Sequence, residues 1–216
     1  MPGKSGLTLR HYRVIEVIPG RPESVEEELD EDYTGPLDER DTTVGPDEDE
    51  EEDDVEVEPE EREDVVFLSQ GENLLLFSSA EALATFVQSN EKHSFSEIEA
   101  FTKARHKITT ELLVPSDDDH YELDLVVKNL RGGPDVWDAD LIISAGEIAR
   151  DVAQACDLTE VSTALAPGSP LDELDDALRK GGFWARRRMR KLGTETVSIG
   201  WRGVIGKIAT ITEVRD

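Results

Sequence analysis

The acidic segment from residue 23 to residue 64 constrains this chain more than any other feature. It contains 24 Asp and Glu residues and only two basic residues, Arg40 and Arg62, which accounts for −22 of the formal net charge of −27. The other 174 residues carry 26 acidic and 21 basic side chains, a charge of about −5. The rest of the chain is therefore nearly neutral, and the sequence pI of about 4.4 describes the segment and not the fold.

This segment is predicted to be disordered. Its few large apolar residues are isolated among carboxylates, Gly and Pro, so burial cannot offset the conformational entropy of ordering it, about 1–2 kcal/mol per residue. Within it, the negative charges of a run of consecutive acidic residues repel one another and extend the chain. The run consists of Asp47, Glu48, Asp49, Glu50, Glu51, Glu52, Asp53 and Asp54. We therefore predict an N-terminal strand in residues 1–22, a disordered acidic insert in 23–64, and a folded domain in 65–216.

The composition also indicates a compartment. Cys156 is the only cysteine, so it cannot form an internal disulfide, and it lies in an apolar helical pattern. A lone thiol is typical of a reducing cytoplasm. The N-terminus lacks the apolar core of a signal peptide, and no run of about 18 apolar residues occurs. We expect a soluble, cytoplasmic protein with no membrane contact, and the sequence leaves its oligomeric state open.

Strand patterns occur mainly in the first third of the chain. Residues 7–18 are rich in β-branched and aromatic types and predict a strand. The segments VVFLS (65–69) and NLLLF (73–77) flank a short Gly-containing turn and predict a β-hairpin. We expect the N-terminal strand to join the sheet of this hairpin across the acidic insert.

Helical patterns follow. Apolar residues at three- and four-residue steps predict helices from Ser78 or Ser79 to about Gln88, over about 137–156, and over 170–180. Residues 121–130 fit a strand or a helix, and the alternation of Leu123, Leu125 and Val127 favours a strand. Residues 199–211 have mostly helical spacing, with a terminal strand as the alternative. The predicted fold class is α+β, with a small antiparallel sheet (N-terminal strand plus hairpin 65–77) packed with several C-terminal helices.

No catalytic, metal-binding or cofactor-binding pattern stands out. The four histidines are far apart in sequence and lack the spacing of metal ligands. The Gly-containing segments at 131–134 and 200–203 have neither the dinucleotide-binding nor the P-loop spacing. No Ser elbow is present, and no spacing pairs Cys156 with a histidine. The sequence therefore predicts no catalytic residue, no metal and no cofactor, and a protein that is not an enzyme.

A basic cluster near the C-terminus is the most informative local feature. It places seven cations in 13 residues, interleaved with Phe183 and Trp184: Arg179, Lys180, Arg186, Arg187, Arg188, Arg190 and Lys191. One interpretation is a solvated helix face that pairs with carboxylates and keeps its aromatics in the core. The other is a nucleic-acid-binding face. In it, guanidinium and ammonium groups contact phosphates and Trp184 stacks on a base; its cations are Arg186, Arg187, Arg188, Arg190 and Lys191.

Four segments carry a resemblance to a known family. They are NLLLFSSAEALATFV (73–87), YELDLVVKNLRGG (121–133), LIISAGEIARDVAQACDL (141–158) and SIGWRGVIGKI (198–208). Over roughly residues 65–213 the chain resembles an actinobacterial family of uncharacterised proteins often labelled "primosomal protein". The label implies a setting in replication, but the resemblance transfers no catalytic residue. This chain departs from the family in its acidic insert, since the relatives tend to carry acidic residues in a C-terminal tail.

Two functions follow from these charged segments. The first is a non-enzymatic cytosolic interaction protein, whose acidic arm contacts a basic protein surface or imitates nucleic-acid phosphates through residues 47–54. The second is a nucleic-acid-binding module that uses the basic cluster 179–191. In the second, the tethered acidic arm competes with nucleic acid for the cluster, because tethering raises its effective concentration to the millimolar range or above.

Deleting residues 23–64 tests this autoinhibition hypothesis. If the arm competes with nucleic acid, the deletion variant should bind single- or double-stranded DNA or RNA more tightly than the full chain at moderate salt. Fluorescence anisotropy of labelled oligonucleotides measures the affinities. Equal affinities for both proteins would refute the hypothesis.

Overall fold

The computed structural model describes residues 5–17 and 60–216. In this part of the chain the strands are β1 (Arg10–Val17), β2 (Glu60–Phe67), β3 (Ser69–Gln70), β4 (Asn73–Phe77) and β5 (Thr212–Arg215). The α-helices are α1 (Ala80–Gln88), α2 (Glu99–Ala104), α3 (Leu123–Arg131), α4 (Ala139–Ala155), α5 (Thr159–Ala164), α6 (Pro170–Lys180), α7 (Gly182–Leu192) and α8 (Thr194–Ile211). Short 3-10 turns at Ser94–Glu97, Arg105–Lys107, Thr110–Leu112 and Asp117–Asp119 connect α1, α2 and α3.

The chain divides into two units, residues 1–13 with 63–216 and residues 14–62. The second unit is described only at residues 14–17 and 60–62, which lie in β1 and β2. Most of the predicted acidic insert, including residues 47–54, lies outside the described residues. Its last five residues, 60–64, form the first part of β2. The sites discussed below all belong to the first unit.

Strand β4 is the centre of a three-stranded sheet with the order β3-β4-β5. It pairs with β3 antiparallel through a turn at Gly71, whose φ of +60° favours glycine. On its other side it pairs with β5 in parallel, in the register Leu74 to Thr212. The N-terminal segment joins this sheet as well, because Leu7 and Phe77 exchange two backbone hydrogen bonds of 2.8 Å.

The predicted α+β class is confirmed. Strand β1 pairs with β2 in a separate two-stranded sheet. The predicted hairpin strand VVFLS is divided at Leu68 between β2 and β3, because Leu68 donates its N–H to Leu9 and accepts from Leu75. Leu68 is fully buried. One residue therefore hydrogen-bonds both to the N-terminal segment and to β4.

The predicted helices at 78–88, 137–156 and 170–180 are present as α1, α4 and α6. Side-chain oxygens cap each N-terminus, as expected for Ser and Asp: Ser79 accepts from Ala82, Asp138 from Leu141, and Ser169 from Asp172. The predicted C-terminal helix is α8, so the alternative of a strand over residues 199–211 is wrong. A strand, β5, begins only after the helix, at Thr212.

The strand favoured for residues 121–130 is wrong, because this segment forms helix α3. Its fully buried residues are Val126 and Leu130, which are four apart and therefore share one helix face. The alternating residues Leu123 and Val127 are only partly buried against the same core. A short apolar run fits both periods, and here packing against neighbouring helices decides for the helix.

Two hydrophobic clusters organise the first unit. The larger lies among the helices from α3 to α8 and includes Trp201 on α8, Leu174 on α6 and Ile142 on α4, all nearly inaccessible to solvent. The smaller lies around β4 and α1 and includes Leu75, Phe77 and Phe86. Strand β4 contributes to both clusters, since Leu74 belongs to the larger one and Leu75 to the smaller.

A buried histidine belongs to the smaller aromatic region. His93 is 7% exposed, and its ring lies 5.5 Å from the ring of Phe86 and 5.4 Å from that of Phe101. Burial lowers the pKa of His93, and the positive charge of Arg105 lowers it further. The imidazole is therefore neutral at physiological pH.

Replacing His93 with Phe should flatten the pH dependence of the free energy of unfolding. The unfolded chain takes up a proton at His93 near its ordinary pKa of about 6.5, while the folded chain resists it. As pH falls below about 6.5, the free energy of unfolding of the wild-type protein should therefore fall by up to about 1.4 kcal/mol per pH unit through this residue. The variant should not show this contribution. Urea unfolding at several pH values measures both slopes, and identical slopes would contradict the prediction.

Candidate interaction surface on helix α7

The predicted basic cluster covers the end of α6, a glycine turn and most of α7. Gly181 and Gly182 have φ values of +60° and +81°, so the turn between the two helices needs residues that adopt the left-handed region without strain. Helix α7 packs against α6 and α8 through Ala185 and Met189, its two buried residues. These are four apart, so they define one face, and the opposite face lies in solvent.

Phe183 and Trp184 are not part of the core. Their exposed fractions are 74% and 77%, the largest among the aromatic residues of the described chain. The two rings contact each other edge to face, with centroids 5.8 Å apart. The interpretation that placed these aromatics in the core is therefore wrong. Two large apolar rings are exposed to water here, and covering them with a partner would make a favourable contribution to the free energy of binding.

Four of the seven cations in the cluster form ion pairs. Arg179 donates to Asp175 and Glu147, each at 2.8 Å, and Lys180 donates to Asp176 at 2.6 Å. Further along, Arg188 lies 3.3 Å from Glu173 and Arg190 lies 2.8 Å from Asp135. These four cations match the interpretation of a face that pairs with carboxylates.

The hydrogen bonds of these pairs shift two pKa values in the expected directions. Donation to Asp175 and then to Glu147 raises the pKa of Arg179. The hydrogen bond from Lys180, and then its charge, lower the pKa of Asp176. Arg179 and Asp176 therefore stay charged across the physiological range, and each is neutralised by its own partner, Arg179 by Asp175 and Glu147 and Asp176 by Lys180.

Three cations of the cluster remain available. Within the described residues, Arg186, Arg187 and Lys191 have no ion-pair partner, and all three are exposed. Of the residues predicted to contact nucleic acid, the structure thus leaves these three and Trp184 accessible and engages Arg188 and Arg190 with carboxylates. We call Phe183, Trp184, Arg186, Arg187 and Lys191 the α7 surface.

The sequence carries a signal for the exposed aromatics and for the two i,i+4 ion pairs on α6, Arg179 with Asp175 and Lys180 with Asp176, and none for the long-range ion pairs. Ala185, Met189 and Leu192 follow at four- and three-residue steps, which marks the core face of α7 and leaves Phe183 and Trp184 off it. The partner of Arg190, in contrast, is 55 residues away in sequence. Such a pair becomes visible only when the helices are packed.

Other chemistry is limited in the described part of the chain. It contains no group of three or more His, Cys, Asp or Glu side chains placed to hold a metal ion. Burial, and then the charge of Asp157, raise the pKa of Cys156 to about 11, so its thiol is protonated at neutral pH. No helix within the described ranges has the length and apolar character to cross a bilayer.

Comparisons with known proteins assign the family. The model of the SatS C-terminal domain matches residues 58–209, so this chain belongs to the SatS C-terminal domain family. The matched range includes the whole of α7. None of the curated proteins matches the chain. The label "primosomal protein" does not occur in these findings, so the replication setting that it implies remains a prediction.

The fold also has a solved counterpart. It is similar to the crystal structure of the SatS C-terminal domain in complex with bromine, with a TM-score of 0.58 and 20% sequence identity. The match covers 70% of this chain and 82% of that chain. At this identity the likeness shows the fold alone.

Proposed function

We propose that this protein is a non-enzymatic, cytosolic interaction protein that binds other proteins through the α7 surface and through its acidic arm. The observation that carries the proposal is the exposure of Phe183 and Trp184 side by side on α7. Trp and Arg are over-represented among the residues that dominate binding energy in protein interfaces. The α7 surface combines both.

The charge balance around α7 favours a protein partner over a polyanion. Carboxylates of this chain already neutralise four of the seven cations of the cluster, including Arg188 and Arg190. A phosphate backbone would meet these carboxylates as well as the free cations, and like charges repel it. A protein segment with one apolar anchor and a few acids would need only the three free cations and the two rings.

The acidic arm supplies the second contact in this proposal. Its net charge of −22 over 42 residues suits a basic protein surface, because opposite potentials steer the encounter and set which partners bind. The eight acids from Asp47 to Asp54 are the densest part of it. Competition between the captured partner and DNA would identify the special case in which the arm imitates phosphates.

Removing the aromatic pair should remove a defined set of partners. The tagged full-length chain and its Phe183→Ala/Trp184→Ala variant are used to capture proteins from a cell extract, with quantification by mass spectrometry. Because anchor residues of an interface commonly carry several kcal/mol, recovery of α7 partners should fall at least about tenfold. A third protein without residues 23–59, which keeps β2 intact, should lose the basic partners instead.

The matched control is Leu112→Ala/Val114→Ala, which removes two apolar side chains that are 70% and 74% exposed in a different region. This control should recover the wild-type set of partners. If the α7 variant and the arm deletion also recover that set, the proposed function is refuted. Circular dichroism of each variant shows that the fold is retained.

A second candidate function is nucleic-acid binding by the same surface. The observation in its favour is the placement of Trp184 beside Arg186 and Arg187, since an exposed indole stacks on unpaired bases and guanidinium groups contact phosphates. Single-stranded nucleic acid is the form that offers its bases to such a ring.

Replacing Arg186, Arg187 and Lys191 with Ala tests this candidate. Affinity for a single-stranded oligonucleotide should fall, and the slope of log affinity against log salt should become shallower by about two units, since about 0.7 counterions are released per phosphate contact. The control variant replaces Lys107, Lys128 and Arg131, three exposed cations on other elements. If both variants bind with the wild-type affinity and slope, the α7 surface does not bind nucleic acid.

A further inference from the structure

A cleft of about 450 Å³ lies between the strands and the 3-10 turn that follows α1. Its walls come from Arg13 on β1, from β2 and β3, from residues 92–97, and from the end of α4. The volume falls within the range of small-ligand sites, about 300–1,000 Å³. The residues used below all line it: Arg13, Asp64, Lys92, His93, Glu97 and Gln154.

His93 brings a buried neutral donor to this cleft. Its Nδ1 is sealed from solvent and has no hydrogen-bond partner. His93 lines the cleft, and Nε2 is its other ring nitrogen. An unpaired buried N–H is costlier than an unpaired lone pair, so the favoured tautomer carries its proton on Nε2. Phe86 and Phe101 fix the plane of the ring. The lowered pKa of His93 keeps this single-proton form at neutral pH.

One of the two opposite-charge pairs in the cleft is already neutralised. Arg13 donates to Asp64 at 2.8 Å, and the side-chain amide of Gln154 donates to the same carboxylate at 3.3 Å. This pair closes one wall of the cleft and adds no net charge for a ligand.

The other two charges are free. Lys92 and Glu97 both line the cleft and are both exposed, and neither forms an ion pair with any described residue. The cleft therefore offers a cation, an anion and a neutral N–H donor that the protein itself leaves unused. A simple anion would be repelled by Glu97, and a simple cation by Lys92. A molecule that carries both charges satisfies both.

We propose that this cleft binds a zwitterionic amino acid or dipeptide, with its carboxylate on Lys92 and the Nε2–H of His93 and its ammonium group on Glu97. The volume exceeds that of one amino acid and accommodates two residues. The site is separate from the α7 surface and does not depend on the function proposed for that surface. It adds a small-molecule ligand to the macromolecular contacts proposed above.

Isothermal titration calorimetry of the full chain tests the proposal. The probes are the twenty free amino acids and a set of dipeptides, each dipeptide also prepared as its N-acetyl and its C-amide form. At least one free dipeptide or amino acid should bind, and blocking either terminus should weaken the binding of such a dipeptide at least about tenfold. Lys92→Gln and Glu97→Gln should cause losses of the same order for the unblocked ligand.

His93→Phe keeps the ring packing and removes the donor, so it should also lower the affinity. Lys92 and Glu97 are exposed, so their variants keep the test decisive even if His93→Phe fails to fold. Lys103→Gln is the matched control, because Lys103 is an exposed cation outside the cleft, and it should bind like the wild type. Absence of binding by every probe up to about 10 mM, or equal binding of free and blocked dipeptides, would overturn the proposal.

Discussion

The pairing of β5 with β4 is the constraint on which the rest of the first unit depends. Four residue pairs, from Leu74 with Thr212 to Phe77 with Arg215, join residues more than 130 positions apart in parallel. A parallel pair requires a crossover connection, and here that connection contains all eight helices of the described chain. The position of each helix therefore has to be compatible with a closed loop from Phe77 back to Thr212.

Side chains reinforce this closure at both ends of β5. The hydroxyl of Thr212 donates to the carbonyl of Ile208 at 2.6 Å, where α8 changes into the strand. Arg215 donates to Gln70 at 2.7 Å and its guanidinium lies 5.2 Å from the ring centre of Phe86. The last strand is thus held to β3, β4 and α1 together, and the small sheet is fixed to the aromatic cluster behind it.

The same geometry explains why sequence reasoning succeeded for some elements and failed for others. Helices α4 and α6 carry long periodic apolar stripes and polar N-caps, which are local signals. Whether the segment of α3 forms a helix or a strand depends on its packing: Val126 and Leu130 are buried on one helix face, and the neighbours of α3 are α4 and α8. The division at Leu68 depends in the same way on Leu9 and Leu75.

The candidate site shows the same division between local and long-range information. The basic residues and Trp184 of the α7 surface are visible in the sequence as a cluster, but which of the cations are free depends on partners such as Asp135 that lie far along the chain. The two free charges and the imidazole of the cleft lie within residues 92–97, but the walls that enclose them come from β2, β3 and the end of α4, so only the fold shows that a cleft exists there. Charged residues that are close in sequence can be recognised as a cluster, but which of them are free to bind a ligand depends on the tertiary packing.

Because β5 lies beyond α8, the sheet cannot be completed during synthesis until about residue 215 has left the ribosome. Until then, the edge of β4 that β5 later covers has unpaired backbone groups, and Leu75 and Phe77 lack their final neighbours. Long-range parallel pairing forms slowly, because the entropy cost of closing the loop comes before the contacts that stabilise the pair. During synthesis the chain therefore passes through a stage in which its helices can form while the edge of β4 is still unpaired. In this stage, association with other nascent chains competes with folding.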